Sequence, residues 1–118
     1  MKTVGAALSI IALILAGCAN TPPLGRSLPA NFAEASAEYN RRVVAAYPVG
    51  SQAAQLLADL NRQHFKVTPI GDPKQPYQFM AVREGNWHVA CDLEWDVYWS
   101  AADGWITAVG AARGTACL

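Results

Sequence analysis

Residues 87–99 read Trp-His-Val-Ala-Cys-Asp-Leu-Glu-Trp-Asp-Val-Tyr-Trp, and this stretch decides the fold. Every odd-numbered position is apolar, and four of the six even-numbered positions between them are polar. Alternation with a period of two is typical of a long β-strand that has one buried side and one solvent-facing side. The solvent-facing side then carries a candidate partner-binding face, which consists of His88, Asp92, Glu94, Asp96 and Tyr98.

This face has other interpretations. Carboxylates two residues apart on a strand are separated by about 6.8 Å and can flank a hard cation. A straight strand spreads its ligands in a line, however, so we predict no metal site. Charges beside a very apolar strand also prevent aggregation between sheet edges. A protein-binding surface and a simple solvated surface therefore both stay open.

The odd-numbered tryptophans, Trp87, Trp95 and Trp99, share the apolar side of this strand. A tryptophan platform for a carbohydrate or another ligand is one interpretation. Large aromatic side chains more often fill a core, and we expect these three to pack against helices, with Trp105 joining them.

Shorter β-strands flank the long one. Asp103-Gly104 predicts a hairpin turn, followed by a strand over 105–111. Before the long strand, residues 65–70 and 77–83 predict two further strands, and residues 84–86 (Glu-Gly-Asn) predict a turn. Pro69 places the first of these strands at an edge or shortens it.

Two helices precede the strands. Asn31 is suited to cap the first, with Glu34 three residues later as in a capping box. Pro48 and Gly50 end that helix, and Ser51 is suited to cap the second. Apolar residues recur at spacings of three and four in both: Phe32, Ala35, Tyr39, Val43, Ala46 and Tyr47, then Ala53, Leu56, Leu57 and Leu60. The sequence therefore predicts an α+β two-layer sandwich, a two-helix hairpin packed on a three- to four-stranded antiparallel sheet.

The N-terminus has the pattern of a secretion signal. Lys2 is followed by an apolar stretch over 4–15, which is too short to span a bilayer. The next residues, Leu15-Ala16-Gly17-Cys18, resemble the lipobox of bacterial lipoproteins. The resemblance implies cleavage before Cys18, fatty acyl (palmitate) chains on that residue and, because Ala19 follows it, the outer membrane facing the periplasm. An uncleaved anchor is the alternative.

This interpretation divides the chain into three parts. Residues 1–17 form the signal peptide, 18–27 the lipidated cysteine with a Pro-rich tether, and 28–118 a single small domain. Three acyl chains exceed what stable membrane anchoring needs. The tether reaches roughly 30 Å at most, so any partner must lie close to the membrane.

Cys91 and Cys117 are the two cysteines left after lipidation. A two-residue turn at Asp103-Gly104 places Cys91 opposite position 116, one residue from Cys117, and a β-bulge would absorb this offset. The secreted compartment permits disulfides. A redox or metal pair is the alternative, but neither cysteine belongs to a C-x-x-C motif. We predict a structural disulfide.

Charge and motifs exclude several classes of function. Without residues 1–17 the chain has 8 Lys+Arg and 9 Asp+Glu, whereas nucleic-acid binding requires a basic patch. The sequence contains neither G-x-S-x-G nor a Gly-rich phosphate loop. We therefore predict no enzymatic activity, no cofactor and no nucleic-acid partner.

A lipobox, a short tether, a helical hairpin and an antiparallel sheet, with Pro48-Val49-Gly50-Ser51 before the second helix, together resemble the small BamE-type (SmpA/OmlA) lipoproteins. The β-lactamase-inhibitor-protein-like fold has the same helix-helix-strand unit. The resemblance implies a non-enzymatic accessory role in envelope assembly through a protein partner. The alternative is a periplasmic inhibitor or immunity protein acting on a hydrolase such as a lysozyme or toxin.

Overall fold

A computed structural model describes residues 21–87 and 91–117. After a 3₁₀ turn at Pro23–Gly25 come α1 (Phe32–Ala46), α2 (Ala53–Arg62), β1 (Lys66–Pro69), β2 (Phe79–Trp87), β3 (Cys91–Ala102) and β4 (Trp105–Cys117). The strands form one antiparallel sheet in the order β1-β2-β3-β4. Both helices contribute to a core on one side of that sheet. The predicted α+β two-layer fold is confirmed.

Helix α1 begins where its capping residue predicts. The side chain of Asn31 accepts a hydrogen bond from the backbone N–H of Glu34 at 3.1 Å. The buried stripe is narrower than the sequence suggests and consists of Ala35, Tyr39 and Val43, spaced by four residues. Phe32 lies outside this stripe and is 52% exposed.

Helix α2 begins differently from the prediction. Its capping position is Gln52, whose side chain makes no capping bond. The hydroxyl of Ser51 instead donates to the carbonyl of Pro48 at 2.6 Å, so the predicted Ser51 cap is wrong. Leu56 and Leu60 enter the core, whereas Leu57 is 40% exposed.

The long strand is shifted along the chain relative to its prediction. Strand β3 begins at Cys91, and Trp87 belongs to the end of β2, where its backbone pairs with that of Asp92. The predicted turn at 84–86 is wrong, because these residues continue β2 through an irregularity between Glu84 and Trp87. Packing explains the glycine at position 85, because a β-carbon there would lie 2.7 Å from Cη2 of Trp95.

The β3–β4 hairpin has the predicted turn. Asp103 and Gly104 both have positive φ, 53° and 84°, as a type I′ turn requires. Residues Ser100 and Ala101 mark a shift in register. This irregularity adds the one-residue offset and places the backbone of Cys91 directly opposite that of Cys117.

Two tryptophans occupy the core as the alternation predicts and a third does not, while the side chain of Trp87 lies outside the described part. Trp95 and Trp99 are each 3% exposed and pack with Tyr39, Val43 and other residues of the core. Trp105 is 51% exposed, so its predicted place in the core is wrong. It follows the turn, pairs with Ala102 and lies outside the packed centre.

Parts of both edges of the sheet are protected. On β4, Asn40 accepts a hydrogen bond from the N–H of Ala111 at 2.9 Å, and Ser36 accepts one from Arg113 at 3.2 Å. Nearer the turn, the α1–α2 connection pairs with the backbone of Ile106. The opposite edge is β1, which has four residues and ends at Pro69. Covered, short and Pro-containing edges resist strand addition.

The segment predicted as a tether is partly packed on the domain. Pro22 is fully buried, and a β-carbon at Gly25 would lie 2.5 Å from Nε1 of Trp95. The guanidinium group of Arg42 donates to the carbonyls of Leu24 at 3.2 Å and Arg26 at 2.5 Å. Among the described residues, packing against the domain thus includes Pro22, six residues before the predicted boundary at 28. Within the described ranges no helix has the length and apolarity needed to cross a bilayer.

Candidate partner-binding face

The side of the sheet opposite the helices is called the outer face here. Its central strand β3 contributes Glu94, Asp96 and Tyr98, all half-buried. The strand register adds neighbours from β2 and β4 in three rows across the sheet: Glu84-Glu94-Gly114, Val82-Asp96-Ala112 and Met80-Tyr98-Gly110. The outer face thus combines acidic residues at one end with apolar and aromatic residues at the other.

The structure brings together three of the five residues predicted for this face. Glu94, Asp96 and Tyr98 lie on one side of β3, as the alternation predicts. Asp92 lies in the same strand with its backbone opposite Ala116, and its side chain is outside the described part. His88 is outside the described residues, and the strand starts only at Cys91.

Sequence reasoning misses one acidic member of the face. Glu84 pairs directly with Glu94 across β2 and β3, although residues 84–86 have the composition of a turn. Like charges directly opposite each other on a sheet are destabilising. Burial raises the pKa of Glu94, and the negative charges of Asp96 and Glu84 raise it further. Each effect disfavours the charged form of this carboxyl.

Asp96 is the most constrained of these carboxylates. Its Oδ2 accepts a hydrogen bond from the hydroxyl of Tyr98 at 3.1 Å, while its buried Oδ1 has no partner. Burial raises the pKa of Asp96, and the hydrogen bond from Tyr98 opposes this effect. Burial, together with the same contact, raises the pKa of Tyr98 to about 12, which keeps its hydroxyl protonated as a donor.

The variant Asp96→Asn is expected to be more stable than the parent protein near neutral pH, by a few tenths to about 1 kcal/mol. A raised folded-state pKa means that ionised Asp96 costs stability above that pKa, and the cost fades as the pH falls through it. The gain should therefore vanish near pH 3, where aspartates are mostly protonated. Urea unfolding at both pH values measures it.

The matched control for that variant is Glu34→Gln. Glu34 is exposed in the first turn of α1, where a negative charge favours the helix, so its neutralisation should not stabilise the protein. A loss of stability in Asp96→Asn at neutral pH would show that the charge supports the fold. In that case the acidic row would have a structural role.

A cleft opens at the aromatic end of the outer face. The rings of Tyr77 and Tyr98 stack with centroids 5.6 Å apart and an interplanar angle of 26°. The cleft has a volume of about 590 Å³ and is lined by Ile70, Asp72, Gln75, Pro76, Tyr77, Met80 and Tyr98. Most of these residues come from the β1–β2 connection, to which Ile70 and Tyr77 also belong although the sequence predicts them in strands.

Small residues on β4 allow this arrangement. A β-carbon at Gly110 would lie 2.6 Å from the hydroxyl oxygen of Tyr77. Because Gly110 has no side chain, Tyr77 can lie across the sheet beside Tyr98. A glycine of this kind is recognised from the fold and not from the local sequence.

The described outer face combines a row of carboxylates with an aromatic cleft. Within residues 21–87 and 91–117, no three His, Cys, Asp or Glu side chains are grouped so that they could hold a metal ion. The carboxylates instead form a row along β3 and across to β2, beside an aromatic cleft. Comparison of the chain with protein-family models, curated proteins and solved structures finds no match.

Proposed function

We propose that this protein is a non-enzymatic lipoprotein of the bacterial outer membrane that binds a protein partner in the periplasm. Cys18 would carry the lipid anchor, and the outer face of the sheet would contact the partner. The lipobox at 15–18 supports the anchor. One structural observation carries the binding surface: among the described residues, the carboxylates of the outer face form no ion pair.

The ion pairs among the described residues all lie on the helices. Glu38 pairs with Arg41 at 2.5 Å and with Arg42 at 2.9 Å, and Asp59 pairs with Arg62. The hydrogen bonds from Arg41 and Arg42 lower the pKa of Glu38 to about 2. The pKa values of Glu94 and Asp96 are shifted in the opposite direction. Burial raises both, and like charge raises that of Glu94 further.

Binding of a basic partner surface would relieve this cost. An arrangement that is unfavourable in the free protein and becomes favourable in a complex is typical of a binding site. The protected edges support the same surface, because strand addition at β1 or β4 is disfavoured.

The anchor restricts where this partner can be. If Cys18 is acylated, residues 19–21 alone connect it to the buried Pro22. The four extended Cα–Cα steps from Cys18 to Pro22 span about 14 Å, which is about half of the roughly 30 Å that the predicted tether would allow. The domain is then held against the membrane surface, and its partner must be an envelope protein that is reachable there.

In-cell photocrosslinking of the full lipidated chain tests this proposal. A photoreactive residue at Glu84 on the outer face should capture a protein in stoichiometric yield, whereas one at Gln55, exposed on α2, should not. Acyl mass on Cys18 would be checked in the same preparation. Capture of a muramidase or a toxin would assign the inhibitor role instead of the assembly role.

The double variant Glu94→Gln/Asp96→Asn should reduce that capture about tenfold or more. A charge-assisted hydrogen bond contributes about 1.5–3 kcal/mol, and both carboxylates lose their charge while keeping their shape. The control is again Glu34→Gln, which removes a charge outside the outer face. Unchanged capture by the double variant would contradict a role for the acidic row in partner binding.

A further inference from the structure

We propose that the cleft beside Tyr77 and Tyr98 receives a cationic side chain, arginine or lysine, of the partner protein. This inference rests on the proposed function and adds the chemistry by which the partner is recognised. It follows from the apolar lining of the cleft and from the charges near it, which together define the kind of ligand that fits.

The lining of the cleft is largely apolar. Ile70, Pro76 and Met80 line it together with the two stacked tyrosine rings. A small hydrated metal ion gains nothing from such walls, because it binds through oxygen ligands and water. A long hydrocarbon chain does gain from them, since burial of apolar surface is favourable.

The charged groups at the cleft are acidic. Asp72 lines one wall. Asp96 does not line the cleft, but its Oδ2 accepts a hydrogen bond at 3.1 Å from the hydroxyl of Tyr98, which does. The buried Oδ1 of Asp96 is out of reach of a ligand in the cleft, so this carboxylate acts on the cleft through its negative charge. A ligand for this cleft should therefore bring a positive charge and hydrogen-bond donors.

Two lysines lie near enough to compete for these carboxylates. Lys66 of β1 lies in the same row of the outer face as Asp96, with Val82 between them. Lys74 is exposed in the β1–β2 connection. Across the part of the chain that the structure describes, neither forms an ion pair with Asp72 or Asp96. The carboxylate of Asp72, whose Oδ1 accepts one hydrogen bond from the backbone N–H of Lys74 at 2.9 Å, can thus pair with a cation from another molecule.

Arginine and lysine side chains have both required properties. Each has an apolar stem that packs along hydrophobic surface and a charged end that carries hydrogen-bond donors. A guanidinium or ammonium group is also attracted to the face of a tyrosine ring. A neutral ligand would leave the carboxylates uncompensated, and an anionic ligand would be repelled by them.

Titration with a blocked peptide, acetyl-Gly-Arg-Gly-amide, tests the cleft without any partner. The protein would be the full lipidated chain in nanodiscs, labelled at the methionine methyl group. The sequence has two methionines, Met1 and Met80, and cleavage before Cys18 removes the first. The methyl signal of Met80, which lines the cleft, is then a single reporter for binding.

The arginine peptide should shift this signal saturably, and the same peptide with neutral citrulline should bind at least tenfold more weakly. Asp72→Asn should weaken binding of the arginine peptide about tenfold, whereas Glu34→Gln should leave it unchanged. Equal binding of both peptides, or no saturable shift with either, would overturn the inference.

The two proposals fail in different ways. Saturable arginine binding without any crosslinked partner would reject the proposed function and keep the cationic subsite. A captured partner whose crosslinked segment contains neither arginine nor lysine, together with no response to the arginine peptide, would reject the subsite and keep partner binding.

Discussion

Replacing Cys91 and Cys117 together with serine should lower the free energy of unfolding by about 3 kcal/mol, because we propose that a disulfide joins these residues. The bond would close a loop of about 26 residues, and loss of such a cross-link releases chain entropy in the unfolded state. Total stabilities of small domains are about 5–15 kcal/mol. The loss is therefore a large part of what holds this fold together.

The strand register supports this bond. The backbones of Cys91 and Cys117 are directly opposite in β3 and β4. Opposed residues of antiparallel strands have Cα atoms about 4.5–5.5 Å apart, and disulfides span about 4.4–6.8 Å. The pair lies at the open end of a hairpin whose other end is the Asp103-Gly104 turn, so the bond would hold the register of both strands.

Urea unfolding with and without a reductant measures the effect. The reductant should destabilise the parent protein to the level of the double serine variant and should not change that variant. Intact mass under non-reducing conditions should be about 2 Da below that of the reduced protein. Two alkylatable thiols in protein taken from an oxidising compartment would contradict the bond.

The parts of the fold that could be predicted depend on repeated patterns. Trp95, Val97 and Trp99 alternate with Asp96 and Tyr98, and this period identifies the buried and outer sides of β3. The cap of α1 was also predictable, because an asparagine at that position bonds with the chain three residues later. Such signals are contained within a single element.

The rest depends on contacts between elements, which no local pattern contains. Gly85 resembles a turn residue in sequence, but it lies in β2 because Trp95 from the next strand packs against it. Because residues 84–86 have the composition of a turn, the sequence also does not predict that Glu84 belongs to the outer face. Likewise, Tyr77 joins the cleft because Gly110, on a distant strand, leaves it room.

The packing of Trp95 gives the second large effect. Its indole ring is 3% exposed and lies between Gly25, in the N-terminal 3₁₀ turn, and Gly85, in β2. Trp95→Ala should cost about 3–5 kcal/mol, because removal of a buried aromatic ring leaves a cavity. Thermal and urea unfolding should both report the loss, and residues 22–28 should become accessible to proteases.

Gly85, one of the two glycines beside this ring, should be nearly as sensitive to substitution. Gly85→Ala is expected to cost about 1–3 kcal/mol, since its β-carbon meets a ring that the core holds in place. Gly114→Ala is the matched control: it also lies in a strand, but a β-carbon there has open space, so stability should hardly change.

A double-mutant cycle with Trp95→Phe separates this contact from a general intolerance of β2 to substitution. Phenylalanine is shorter, so it vacates the space of the indole Cζ3 and Cη2 atoms beside Gly85 and also removes the buried Nε1, which has no hydrogen-bond partner. Gly85→Ala should therefore cost less in the Trp95→Phe background, with a coupling energy of about 0.5–3 kcal/mol. Strictly additive costs would mean that Gly85 is required for the backbone of β2 and not for the tryptophan.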